Sequence, residues 1–146
     1  KYITNDEWIF FSNYSSPKAH EFRDCSNISA VFFWHQTNTQ IRIKGNISKS
    51  SPEFSDSHYK ARDKSKNILA ITSKQSETVD SYESFIDNYK RASRDISDTS
   101  SRPTYWGGYS FKPYYFEFWQ GHDKRINKRE VCSFKNDKWE NYFLQP

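Results

Sequence analysis

Residues 106–121 read Trp106-Gly107-Gly108-Tyr109-Ser110-Phe111-Lys112-Pro113-Tyr114-Tyr115-Phe116-Glu117-Phe118-Trp119-Gln120-Gly121. Tyr114 to Gln120 is a short aromatic run closed by Gly121, the composition of a strand. Before it, Arg102-Pro103 and Gly107-Gly108 punctuate a loop. Toward the C-terminus, Lys128 to Ser133 and Trp139 to Leu144 add two further strands.

Toward the N-terminus, Tyr82, Phe85, Ile86 and Tyr89 recur at three- and four-residue spacing, which predicts an amphipathic helix from Val79 to about Arg94. Ser51-Pro52-Glu53 opens a helix toward Ala61, and a second short one covers Lys64 to Thr72. Gln40 to Gly45 alternates with period two and pairs in a hairpin with the apolar run Ile28 to Trp34. Trp8 to Asn13 is another strand, followed by a helix capped by Ser15 or Ser16, with Pro17 at its first position and its end near Asp24. About six strands with three helical inserts predict a mainly β fold. Helices do not alternate regularly with strands, so a partly closed antiparallel barrel suits the pattern better than a parallel sheet.

The 146 residues form one expected domain, with no linker or abrupt change of composition. Mean hydropathy is -1.03, a value that disordered chains share. Disordered chains lack rings, however, and this one carries 12 Phe, 10 Tyr and 5 Trp, so its core is built from aromatics. At roughly 25 cal/mol per Å² buried, such rings offset the ordering entropy of a small fold by a thin margin, which favours an oligomer.

A formal charge of +4 favours anionic partners without choosing among them. Cys25 and Cys132, with no CxxC pair and no His/Cys cluster, support neither a disulfide framework nor a metal site and fit a reducing, cytoplasmic compartment. No run reaches the 18 apolar residues of a membrane span, so no membrane partner is expected. The Asn-x-Ser sequons at Asn13, Asn27 and Asn46 arise by chance in a chain rich in both residues.

GxSxG, P-loop, HExxH and GxGxxG signatures are all missing from the sequence. What stands out is a scatter of cations, Lys1, Lys18, Arg62, Lys66, Arg125 and Arg129, suited to phosphate groups, and of Gln40, Gln75 and Trp119, suited to flanking a planar ring. One sequence does not reveal whether they converge.

Six ordered blocks do carry a family signature. Phe10-Phe11-Ser12-Asn13 with Ser16-Pro17-Lys18-Ala19-His20, Gln40 to Gly45, Ser73-Lys74-Gln75-Ser76, Trp106-Gly107-Gly108-Tyr109, Phe116 to Gly121, and Arg125-Ile126-Asn127-Lys128-Arg129 resemble the pyridoxine/pyridoxamine 5'-phosphate oxidases from Lys1 to Pro146. The resemblance implies an FMN-binding split β-barrel of antiparallel Greek-key type, a homodimer with FMN at the subunit interface. It implies oxidation of pyridoxine or pyridoxamine 5'-phosphate, a small phosphorylated pyridine, to pyridoxal 5'-phosphate, with oxygen as acceptor. In this reading the flavin takes the hydride, so no catalytic side chain is assigned and the protein's task is positional.

By the same resemblance, Lys18 and Ser76 contact the FMN phosphate and ribityl end, and Phe11 and Ser12 line the cofactor. Gln40, Gln75, Trp119 and Arg129 fix its ring and tail. Lys1, His58, Arg62 and Lys66 fall at the substrate-phosphate positions, and Arg125 and Asn127 lie over the pyridine ring.

Four positions depart from the family pattern. Pro17 replaces an arginine, removing a charged hydrogen bond worth about 1.5–3 kcal/mol, or roughly ten- to a hundred-fold in FMN affinity. Asn127 replaces a histidine and carries no charge near neutral pH. His58 and Lys66 stand for Tyr and Ser, each keeping a donor. The family's preceding Arg-rich strand is not represented before Lys1. Competing readings are a relative acting on another ring substrate, as in phenazine pathways, a degenerate member with weakened FMN binding, and a single-strand nucleic-acid binder. The last ranks below the others because the aromatic positions match the flavin family, and no nucleic-acid partner is expected.

Overall fold

In the computed structural model, which describes residues 2–146, seven strands and four helices follow one another. They are β1 (Tyr2–Thr4), β2 (Glu7–Asn13), α1 (Pro17–Asp24), β3 (Asn27–Trp34), β4 (Thr39–Lys49), α2 (Pro52–Lys60), α3 (Lys64–Thr72), α4 (Tyr82–Asp95), β5 (Trp106–Gln120), β6 (Lys128–Lys135) and β7 (Lys138–Leu144). The local chemistry accounts for most boundaries. Ser51, Asp63 and Ser81 each accept a backbone N–H with their side chains at the starts of α2, α3 and α4, and Pro52 sits in the first turn of α2. Asn5-Asp6 and Asn136-Asp137 have positive φ, as two-residue hairpin turns require, and join β1 to β2 and β6 to β7.

The strand order β1-β2-β5-β4-β3, with β6 on β5 and β7 on β6, corrects the expected split β-barrel. Among the described residues this path is open, since β1 stands at one end and β3 at the other. Its cause is the length of β5. Fifteen residues allow its last part, Tyr115 to Gln120, to pair with β6 while the strand also takes β2 and β4, so the sheet forks instead of closing. With four helices the chain is a mixed α/β fold rather than a mainly β one. The pairs β3/β4, β5/β6 and β6/β7 are antiparallel.

A second correction concerns Gly107-Gly108, which lie inside β5 and not in a loop. A side chain at Gly107 would meet the Tyr14 hydroxyl, and one at Gly108 would meet Ser50 and the Phe11 ring. The glycines therefore mark close approach within a buried strand rather than a turn.

Two compact units make up the chain. The first comprises residues 9–24 and 48–110. Its core holds Ile9, Ala19, Tyr59, Ile68, Trp106 and Tyr109. Phe22 of α1 packs edge-on against Phe10 and Tyr109. Asn67 donates to the Tyr59 carbonyl at 3.0 Å and so ties α3 to α2, while α3 also packs on α4.

The second unit comprises residues 2–8, 25–47 and 111–146. Ile41, Ile43 and Ile47 are buried on one face of β4, with Phe111 and Val131 also in this core. Period two in Gln40 to Gly45 thus has its expected cause. Gly45 has no room for a side chain: an added methyl meets the Lys112 carbonyl oxygen and the Phe111 ring, each at 2.8 Å. Gly45→Ala is expected to lower stability by about 1–3 kcal/mol through overpacking, read as a shift of the urea midpoint at unchanged slope.

Candidate functional site

In the first unit, β2, the loop after α3 and the start of α1 meet around Ser12 and Asn13. Gln75 Oε1 accepts the Asn13 backbone N–H at 3.1 Å and the Ser12 hydroxyl at 3.4 Å. Its acceptor is thereby engaged, and its NH₂ group remains the donor end. Lys18 reaches from α1 to the Ser12 hydroxyl at 3.5 Å. Ser12, Lys18 and Gln75, assigned separately from sequence, therefore converge.

Beside them opens a cleft of about 160 Å³ lined by Asn13, Arg62, Lys66, Ser73, Gln75 and Trp106, among others. The Arg62 guanidinium stacks over the Trp106 ring at 4.4 Å, and its Nη1 is buried without a hydrogen-bond partner among the described residues. Burial pulls the Arg62 pKa below the usual arginine value, against a smaller opposing effect of Tyr59. The group remains a cation at neutral pH.

Trp106 is itself held. Arg102 donates to its carbonyl at 2.6 Å and to Asp56 at 2.6 Å. The Phe11 ring stacks on His58 at 3.6 Å between centroids, and Trp106 lies beside that pair, near-parallel to it and 5.4 Å from Phe11. His58 is thus part of a ring stack. Ser76 is not brought to this cleft; it lines a separate one of about 290 Å³ with Phe85 and Tyr89 of α4, and its φ of 72° lies in the left-handed region. Lys1 lies outside the described residues.

In the second unit, the register sets Trp119 directly opposite Arg129. Arg129 donates through Nε and Nη2 to Glu117, each at 2.8 Å. The Gly121 N–H donates to the Asn38 carbonyl at 3.0 Å, bringing the loop after Trp119 to the turn that precedes Gln40. Arg125 is exposed at a φ of 65°, a costly conformation of the kind enriched at ligand sites. Asn127 faces its own loop, where its Oδ1 accepts the His122 N–H at 3.0 Å. Gln40, Trp119 and Arg129 thus share one region, with Arg125 and Asn127 on the adjoining loop.

Sequence reading missed Asn13 as a cleft residue and missed the cluster around Glu117. The carboxylate of Glu117 is almost fully buried and also accepts from Arg42 at 3.3 Å and from the Tyr115 hydroxyl at 2.9 Å. Burial alone would raise its pKa. Hydrogen bonds from Arg129 and Tyr115 and the charges of both arginines outweigh that and hold it below the usual range. Tyr115 is pushed up to about 12, by burial first and then by the neighbouring carboxylate. Period two places Tyr115 and Glu117 on one face; nothing local announces Arg42 and Arg129 as their partners.

Among solved structures, PhzG from Burkholderia lata 383, in complex with tetrahydrophenazine-1-carboxylic acid, superposes with a TM-score of 0.79 at 23% identity. It covers 94% of this chain and 68% of its own. A pyridoxamine 5'-phosphate oxidase-related, FMN binding protein from Nostoc punctiforme gives 0.73 at 9% identity, over 96% of this chain and 72% of its own. These likenesses define the class of fold. A family model described as the pyridoxine 5'-phosphate oxidase C-terminal dimerisation region matches residues 106–146.

Pyridoxine/pyridoxamine 5'-phosphate oxidases from Leptospira biflexa and Cytophaga hutchinsonii are 35% and 37% identical to the chain. Each match covers 100% of the chain and 69% of the relative. The chain belongs to the pyridoxine/pyridoxamine 5'-phosphate oxidase family of FMN-dependent oxidoreductases.

Proposed function

We propose that this protein, as a homodimer, binds FMN and oxidises pyridoxine or pyridoxamine 5'-phosphate to pyridoxal 5'-phosphate. What carries this reading is Arg62. Its buried Nη1, a cationic donor with no partner among the described residues, lines a cleft together with Lys66 and Gln75, and a phosphate is the group such a donor set favours. The donors also fit FMN. Lys18 and the Ser12 hydroxyl suit its phosphate, and the NH₂ end of Gln75 suits a ring carbonyl. In the second unit, Trp119 and Arg129 supply an aromatic face and a cation.

When bound, FMN supplies the hydride acceptor, and oxygen reoxidises it. The chain's own contribution is to orient. Arg62 and Lys66 anchor the substrate's phosphate, and the ring stack behind Arg62 keeps that anchor in one place. Fixing two reactants in a reactive arrangement is a large part of catalysis when no side chain reacts.

A second copy of the chain is the proposed partner. Within residues 106–146, Phe118, Phe134, Trp139 and Phe143 are all exposed, an apolar surface of the kind that marks an interface.

The purified protein should be yellow and sediment as a dimer, and pyridoxine 5'-phosphate added without oxygen should bleach it. A yellow protein whose absorbance survives that addition would reject the substrate. A second reading, another ring substrate, is favoured by Asn127, whose oxygen is tied into its own loop. That reading requires bleaching by a ring compound without phosphate.

A further inference from the structure

Glu117 sits in β5 with its side chain 3% exposed and takes four donor contacts: Arg129 Nε and Nη2, Arg42 Nη1, and the Tyr115 hydroxyl. The third nitrogen group of Arg129, Nη1, donates to the Gln145 carbonyl at 3.0 Å. Every nitrogen of this guanidinium is therefore held, and one N–H on each of Nη1 and Nη2 is left over. Cross-strand pairing sets the held group beside Trp119.

We propose that Glu117 is a positioning residue for the cofactor: it clamps Arg129 beside Trp119, so that the two remaining N–H groups of Arg129 are aimed for FMN before FMN arrives. This rests on the reading of Arg129 and Trp119 as cofactor contacts. A long, flexible side chain loses rotamer entropy when it binds a ligand, and a clamp made in the free protein, with Nε and Nη2 of Arg129 both on Oε1 of Glu117, removes that cost in advance. Arg42 completes the arrangement. One carboxylate between two guanidinium groups leaves the cluster with a net positive charge, so the clamp orients Arg129 without cancelling its attraction for an anion.

The bland alternative is a buried ion pair that serves stability alone. A double-mutant cycle separates the two, with FMN affinity of the full-length apoprotein measured by quenching of flavin fluorescence and its melting temperature read in parallel. Glu117→Gln is expected to weaken FMN binding about ten-fold in the wild-type background. In an Arg129→Met background the same change should leave affinity within about two-fold, because the residue it acts through is gone.

A Glu117→Gln protein that melts lower yet binds FMN as tightly as wild type would overturn the proposal. So would equal weakening in both backgrounds. If Arg129→Met alone leaves FMN affinity unchanged, the cofactor reading of Arg129 fails, and the clamp with it. Should Glu117→Gln not fold, Glu117→Asp keeps the charge, shortens the arm and runs through the same cycle with the same expected pattern.

Discussion

Arg62→Met is expected to lower kcat/KM for pyridoxine 5'-phosphate by about a hundred-fold, mostly through KM, while the flavin spectrum stays unchanged. The guanidinium is held by its stack on Trp106, and its Nη1 is buried with no acceptor among the described residues. A charged hydrogen bond to a partner in such a place is worth about 1.5–3 kcal/mol, and each 1.4 kcal/mol is roughly ten-fold. Methionine keeps much of the packing against Trp106 and removes only the donor, so a collapse of the cleft is not what the measurement would read. Lys66 lines the same cleft but is exposed. Its removal should cost less, because an exposed charge is screened by water and salt. Unchanged kcat/KM in the Arg62 variant would mean that the substrate phosphate is bound elsewhere.

Lys18→Met should raise the FMN dissociation constant roughly ten- to a hundred-fold, read by titrating the apoprotein. The size follows from Pro17. Where the family pattern has a second cation, this chain has a ring without a donor, so Lys18 is left as the cation at the Ser12 hydroxyl. Pro17→Arg tests the same logic in reverse and should tighten binding. If neither change moves the affinity, the phosphate end of the cofactor does not lie at the start of α1.

The convergence at the start of α1 is partly legible in the sequence. Ser12 and Lys18 lie six residues apart and Gln75 lies 63 beyond Ser12, in blocks whose order and spacing resemble one family, and the three meet. Ser76, next to Gln75 in the same block, has a left-handed backbone and lines another cleft. The ring of His58, expected from the resemblance near the substrate phosphate, stacks on Phe11, a neighbour that no local pattern announces.

The sequence by itself determined the local elements. Pro17, the caps at Ser51, Asp63 and Ser81, and the alternation around Ile41 and Ile43 act over a few residues, and their physics needs no distant partner. Tertiary structure decided what depends on meetings between distant segments. Gly107-Gly108 lie in strand, where Tyr14, Ser50 and Phe11 from distant segments leave no room for a side chain. The sheet forked because a 15-residue strand outruns its neighbours. Glu117 acquired its role from Arg42 and Arg129, 75 and 12 residues away. A buried carboxylate has no meaning until its counter-charges arrive, and only the folded chain brings them.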